Sequence, residues 1–210
     1  MSSRKSSLTR EKIAAVALSI ADREGFEAVS MRRIAQEMGV GAMTLYYYVA
    51  TKNELIAAMD DALLAGALLP KLSSDWRKAI VAIAQKTREI FLRHPWALIA
   101  MLNTSPGINA LRHMEQCLEA LAPLPITDKK KFALLATIDD FVFGYALREG
   151  SASAPVDMEF AAAQIASGAF PRLARALANG PLPPARDRFE RGLRALLDAA
   201  VLDAVPRPRG

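Results

Sequence analysis

The stretch from Ser30 to Lys52, SMRRIAQEMGVGAMTLYYYVATK, constrains the fold more than any other part of the chain, because it holds two short helices with little room between them. Ile34, Ala35 and Met38 fall at helical spacing behind Val29 and Ser30. Ser30 is placed to cap the free amides, and Val29 to staple onto Ile34. Gly39 then supplies the left-handed residue that ends a helix cheaply, and the next helical run begins a few residues on. So short a connection forces a helix-turn-helix geometry. On the second helix, an advance of about 100 degrees per residue gathers Ala42, Leu45 and Val49 on one face and centres Met43 and Tyr47 on the opposite one. Thr44 and Tyr46 flank the outward face, and Tyr48 lies at its boundary.

Core packing is the plain alternative for any one of these tyrosines. Three adjacent tyrosines on a helix cannot all face one core, however, and at least one hydroxyl is expected to meet a polar partner. Phosphate oxygens suit such hydroxyls, and they take many of the contacts that position a protein on DNA. The pattern S-x-R-x-I-A-x-x-x-G-V-x-x-x-T-L-Y-x-Y-V-x-x-K-x-x-L, running from Ser30 to Leu55, resembles the DNA-binding signature of the tetracycline-repressor (TetR/AcrR) family of bacterial transcriptional regulators. The resemblance implies a double-stranded DNA operator as partner, with Ser30 at the start of the motif and Arg32 near base edges. It puts Ala42, Met43 and Thr44 at the leading end of the recognition helix, and Tyr46, Tyr47, Tyr48 and Lys52 on phosphates. Gly41 and Ala42 carry no side-chain donor, which leaves Arg32 and Thr44 as the main polar readers.

The 210 residues, 52% hydrophobic and 23% charged, fit a globular protein with a core rather than a disordered chain. The net charge is +5, and the distribution says more than the total. Residues 1–52 hold eight Lys and Arg against five Asp and Glu, a net of +3; the remaining 158 hold nineteen against seventeen, a net of +2. The excess sits with the motif. A single cysteine, Cys117, rules out an intramolecular disulfide framework, and the chain opens without a secretory pattern, so a cytoplasmic protein is expected. No run of eighteen apolar residues is present to span a membrane. The opening MSSRKSS reads as a mobile tail, either resting on the DNA backbone or idle.

Spacing and caps predict helices throughout and no strand: an all-α chain with an N-terminal three-helix head, residues 1–50, and a C-terminal helical body, residues 51–205. The first helix lies between Thr9 and Gly25, and the capping box Thr51-x-x-Glu54 starts a helix to about Leu69 that connects head to body. Further helices are expected over Trp76 to Arg93, Pro95 to about Leu102, Pro106 to about Leu121 behind Ser105, Thr127 to about Glu149, Val156 to Leu177 and Ala185 to about Asp203. On the long helix from Thr127, Phe132, Leu135, Ala136, Asp139, Val142, Phe143 and Ala146 share one face, and Leu134, Ile138, Phe141 and Tyr145 another. The last helix carries Phe189, Leu193, Leu196, Leu197, Ala200 and Val201 in near heptad register, a pattern met by a neighbour in the same chain or a symmetry mate. The family resemblance implies the second, a homodimer built on a four-helix bundle.

Catalysis finds little support. His113 and Cys117 stand at the i,i+4 spacing of paired ligands, but a zinc site needs three or four, so no metal, cofactor or catalytic residue is expected. His94 before Pro95 reads as a histidine bonding a free carbonyl or favouring a helix end. Asp139 and Asp140 point about 100 degrees apart and make no carboxylate dyad. No G-x-S-x-G, H-E-x-x-H or phosphate-cradling loop occurs. Residues 76–149 mix large apolar side chains with isolated polar groups, the composition of a ligand pocket. Trp96, Met101, Asn103, His113, Cys117, Phe141 and Tyr145 are the candidate lining for a small-molecule effector. The expected function is a ligand-responsive repressor that binds a palindromic operator as a homodimer. The rivals are an architectural DNA-binding protein without effector and an all-α ligand-binding or enzymatic domain.

Overall fold

In the computed structural model, which describes residues 8–100, 104–150, 158–180 and 184–202, polar side chains start the helices that they precede. The Thr9 hydroxyl accepts from the Lys12 amide at 3.3 Å and opens α1 (Arg10–Glu24). Ser30 accepts from the Arg33 amide at 3.2 Å and opens α2 (Met31–Met38). Each such cap stabilises its helix by about 1 kcal/mol. Gly39, at φ 64°, ends α2. Its amide donates to Gln36 at 3.3 Å and that of Val40 to Ala35 at 3.0 Å, the paired bonds of a Schellman turn. That turn delivers the chain into α3 (Ala42–Tyr46). The amides of Tyr48 and Val49 both donate to the Leu45 carbonyl, which extends the turning past Tyr46 and carries Val49 into the core.

Thr51 accepts from the Glu54 amide at 3.1 Å and opens α4 (Lys52–Ala67), while the Glu54 carboxylate reaches back to the amide of Ala50 at 2.9 Å. The body follows: α5 (Trp76–Arg93), α6 (Ala97–Ala100), α7 (Ile108–Ala120), α8 (Asp128–Gly150), α9 (Glu159–Ala166), α10 (Pro171–Ala178) and α11 (Ala185–Leu202). All of the regular structure among the described residues is helical.

Two cores and a bridge hold these helices. The head core joins Ile13, Ala17 and Ile20 of α1 to Val29, Ile34, Leu45 and Val49, with Leu55 and Met59 of α4 closing it. The body core joins Ile80 and Ile83 of α5, Cys117 of α7, Leu135, Ile138 and Val142 of α8, and Phe189, Leu193 and Leu197 of α11. Each fully buried large apolar side chain contributes roughly 1.5–3 kcal/mol. Leu63 and Ala67 of α4 pack with Ile90 and Ala97 between the two. The heptad face of the last helix is thereby divided: Phe189, Leu193 and Leu197 are buried in their own chain, and Leu196 is left half-buried.

The chain departs from expectation at several helix boundaries, among them the helix expected from Pro95, which begins at Ala97. The helix expected over Val156 to Leu177 is interrupted: α9 and α10 are separate because Gly168, at φ 81°, turns the chain and Pro171 starts the second helix afresh. The helix expected from Pro106 begins at Ile108, capped not by Ser105 but by Asp61 of α4. The Asp61 carboxylate accepts from the Asn109 amide at 2.6 Å and the Ala110 amide at 3.4 Å. A Cβ on Gly107 would lie 2.2 Å from that carboxylate, so this approach requires glycine. The short turn Phe26–Ala28, a 3-10 helix between α1 and α2, was not foreseen. The expected loop from Ser151 to Pro155 and the PRPRG tail lie outside the described residues.

Candidate nucleic-acid interface

Burial of Leu45 and Val49, both fully enclosed, decides which way α3 points its remaining side chains. Met43 and Tyr47 are 81% and 88% exposed, far beyond what apolar or aromatic residues show in a finished core. Thr44, Tyr46 and Tyr48 are exposed beside them, and Ala42 is half-buried against the helix pair. Tyr47 and Tyr48 meet edge to face, ring centroids 5.5 Å apart. The polar partner expected for at least one tyrosine hydroxyl is not found among the described residues; all three rings stand outward. Ser30 is occupied in capping α2.

The two arginines of α2 divide their work. Arg33 lies against Glu24 of α1, with contacts of 2.7 and 3.1 Å, and against Glu37 at 2.8 Å. Arg23 joins the same cluster through Glu37 at 3.0 Å. Hydrogen bonds from Arg33 are the largest cause holding Glu24 and Glu37 below the usual carboxylate range, and those bonds hold the Arg33 guanidinium charged. Arg32 is exposed and has no ion pair among the described residues. Arg33 therefore fastens α2 to α1, and Arg32 is the α2 cation presented outward. Lys52, the first residue of α4, is exposed with its ammonium 5.9 Å from the Phe26 ring centroid.

The residues proposed from sequence to line an effector pocket fall into separate places. His113 and Cys117 meet at the centre of the body, where Thr87 and Asp139 join them, two partners not foreseen in the sequence. The Thr87 hydroxyl donates to the Ile83 carbonyl at 3.1 Å, so its oxygen accepts from His113 Nε2, 3.2 Å away. That assigns the proton to Nε2 and leaves Nδ1 to accept from the Cys117 thiol at 3.9 Å. Burial supports the assignment by lowering the His113 pKa and by pushing the Cys117 thiol up to about 12, with the charge of Asp139 adding to the second effect. Asp139 is exposed to solvent, yet protein crowds its carboxyl on the side lining the cavity, and that partial burial, with Asp140 second, pushes it up to about 6. The enclosed space among these groups is about 10 Å³, walled by Ile80, Ile83, Leu135 and Val142. That is the scale of one water.

Phe141 and Tyr145 turn instead toward α11, where their rings lie 5.5 and 5.4 Å from Phe189. Trp96 belongs to neither group; it lies against α1, its indole Nε1 donating to Asp22 at 2.8 Å. His94 caps the C-terminus of α5, the second of the two roles expected for it, while its ring bonds the same carboxylate at 2.7 Å rather than a free carbonyl. Met101 and Asn103 lie outside the described residues. A larger cleft of about 560 Å³, unforeseen in the sequence, opens between α1, α4 and the approach to α7, floored by Ala57, Ala58, Ala62 and Ala65. Among the described residues no cluster of His, Cys, Asp and Glu has the makings of a metal site, and no helix is long and apolar enough to cross a membrane.

Comparison with known proteins places this architecture. Residues 13–59 match the sequence profile described as "Bacterial regulatory proteins, tetR family", and residues 69–199 that of "Tetracyclin repressor-like, C-terminal domain". The chain is 35% identical over 211 residues to the HTH-type transcriptional repressor DrrR1 of Streptomyces coeruleorubidus, covering 92% of this chain and 77% of that one. Its fold is similar to that of the TetR family protein ActR of Streptomyces coelicolor solved with actinorhodin, at a TM-score of 0.81 and 26% identity over 96% of this chain and all of that one. In fold alone it is also similar to BioQ solved with its double-stranded DNA operator, at a TM-score of 0.66 and 22% identity over 93% of this chain and 99% of that one.

Proposed function

Because the chain belongs to the tetR family of bacterial regulatory proteins and is a transcriptional regulator, we propose that it represses by binding a palindromic operator as a homodimer and lets go when a small hydrophobic effector enters its body. The observation that carries this reading is the outward face of α3, where Met43, Thr44, Tyr46 and Tyr47 stand exposed over a fully buried Leu45. A helix of that size enters the major groove, with Thr44 and Arg32 reading base edges and the tyrosines and Lys52 on phosphates. Two such heads related by two-fold symmetry meet successive grooves about 34–36 Å apart. We divide the chain into a DNA-binding head, residues 1–50, and a ligand-binding and dimerisation body, residues 51–205. It acts in the cytoplasm, where its operator lies.

The effector site is the cavity around His113, Cys117, Thr87 and Asp139. An apolar wall with few, already oriented polar groups is the usual construction of a ligand pocket. ActR, solved with actinorhodin, supports a ligand in a body of this fold. With about 10 Å³ of free space, the cavity must widen to admit any effector, and the widened body is the one whose heads are displaced. We assign the site no catalytic role: a thiol pushed up to about 12 is no nucleophile at neutral pH. Selection of binding sites from random DNA, followed by a salt series on the winners, tests the reading. A palindromic winner bound far more tightly than random duplex is expected. Steep salt dependence with no preferred sequence would instead favour an architectural protein, and absence of DNA binding would end both readings.

A further inference from the structure

We propose that Trp96 is a positioning residue for operator recognition: clasped onto the head, it fixes where α3 and Lys52 stand relative to the body and so sets the spacing of the half-sites the dimer accepts. The inference rests on the operator-binding reading above. Trp96 follows α5 in the chain, and its indole Nε1–H donates to Asp22 Oδ1 of α1 at 2.8 Å. His94 Nδ1 lies 2.7 Å from the same oxygen, and the His94 ring meets the indole edge to face at 6.2 Å. The indole also stacks on Phe26 with centroids 5.5 Å apart and planes within 10°. Phe26 in turn lies 5.9 Å from the ammonium of Lys52. A continuous run of contacts thus joins the end of α5 to a side chain assigned to the operator backbone.

The chemistry of the clasp suits it to hold an angle. An aliphatic contact tolerates sliding, whereas a face-to-face stack fixes a plane and a hydrogen bond to a carboxylate fixes direction within that plane. Head and body are otherwise joined through α4, which is built into the head core by Leu55 and Met59, and through Leu18 of α1, which packs on the aliphatic cluster of Leu63, Ala67, Ile90 and Ala97. Those aliphatic contacts leave room for small slips, and the stacked, hydrogen-bonded attachment on α1 removes it. The same helix that ends at the clasp carries Thr87 in the cavity wall, and Thr87 lies about two turns, roughly 10 Å, before His94. Any displacement of α5 along its axis is therefore delivered to Asp22 and Phe26.

The test uses the full-length dimer and synthetic duplexes holding the selected half-sites, with one or two base pairs inserted or removed at the centre of symmetry, measured by fluorescence anisotropy at one salt concentration. Wild-type protein should lose tenfold or more in affinity per change of spacing. Asp22→Ala, at an exposed position, and Trp96→Leu should bind the selected duplex within about threefold of wild type, yet lose less than threefold on mis-spaced ones. Trp96→Phe, which keeps a ring for the stack, should recover part of the preference. A purely structural role would lower affinity equally at every spacing and leave the penalty intact, which overturns the proposal; so would Asp22→Ala with a wild-type spacing profile. If wild-type protein binds no duplex selectively, the operator-binding reading itself fails, and the two failures are distinct.

Discussion

A Cβ on Gly192 would lie 2.6 Å from Cζ of Phe141, so α11 crosses α8 at a separation that only glycine permits. The Phe141 ring cannot step aside easily, because it is braced by Tyr145 at 4.7 Å and Phe189 at 5.5 Å. Gly192→Ala sets two effects against each other. Better helix propensity gains up to about 1 kcal/mol, while overpacking a braced ring costs roughly 1–3 kcal/mol. The overpacking should win, and thermal unfolding should show a lower midpoint. Adding Phe141→Leu should recover much of the loss; a single variant more stable than wild type would mean the helices separate freely.

Thr44 and Lys52 are assigned different kinds of contact, and substitution separates them. Thr44→Ala should cost about 1–3 kcal/mol of discrimination between operator and mutated operator. Lys52→Ala should weaken all duplexes alike and flatten the salt slope by about one unit. Titrations of both variants on cognate and random DNA across a salt series provide the measurement. Identical behaviour of the two would remove the distinction between reading and positioning.

Leu196 is the better probe of the dimer. Phe143 packs on Phe91 of its own chain at 6.2 Å, so Phe143→Glu disturbs the protomer as well as any contact between protomers. Leu196 is half-buried on α11, with its neighbours Phe189, Leu193 and Leu197 already committed to the intrachain core. Leu196→Glu should give a folded monomer in sedimentation that binds operator weakly, since a lone head touches too few base pairs. A folded monomer with wild-type affinity would refute the interface.

Asp139 makes stability depend on pH in an unusual direction. Its pKa is raised from an ordinary carboxyl value of 3.8 to about 6 in the folded protein, so between those values the folded state holds the proton more often than the unfolded one. Stability from this group therefore falls as pH rises from about 4 to about 6, and the deficit persists above that range. Because Asp139 is exposed, solvent screens the effect, so Asp139→Asn should raise the unfolding midpoint slightly at pH 8 and leave it nearly unchanged below pH 4. Equal effects at both would place the carboxylate in ordinary solvent.

How far the sequence could be read depended on how local each determinant was. Ser30, Val29 with Ile34, and Gly39 act within a few residues of one another, and the head follows from them. The outward direction of Met43 and Tyr47 follows from periodicity alone. The start of α7 is not legible locally, because its cap, Asp61, comes from another helix 48 residues before Asn109. Thr87 and Asp139 could not be placed beside His113 for the same reason, since the crossing of α5, α7 and α8 brings them together. Composition alone places Trp96 with the pocket residues, whereas the partner that fixes it, Asp22, is 74 residues away. The break between α9 and α10 was legible in principle: Gly168 and Pro171 are the marks of a stop and a start.

Helix α4 is a single rod of 16 residues, about 24 Å long, with Leu55 and Met59 in one core and Leu63 and Ala67 in the next. The two halves are consequently not interchangeable modules. A chimaera that takes the first 50 residues from a relative inherits a foreign α1 and α2 but keeps the native Leu55 and Met59, and knobs shaped for Ile13 and Ile20 must then fit another lineage's holes. A chimaera joined beyond Met59, so that the first turns of α4 travel with the head, should therefore fold more stably than one joined at residue 50, which places the seam between operator and ligand specificity in the middle of a helix.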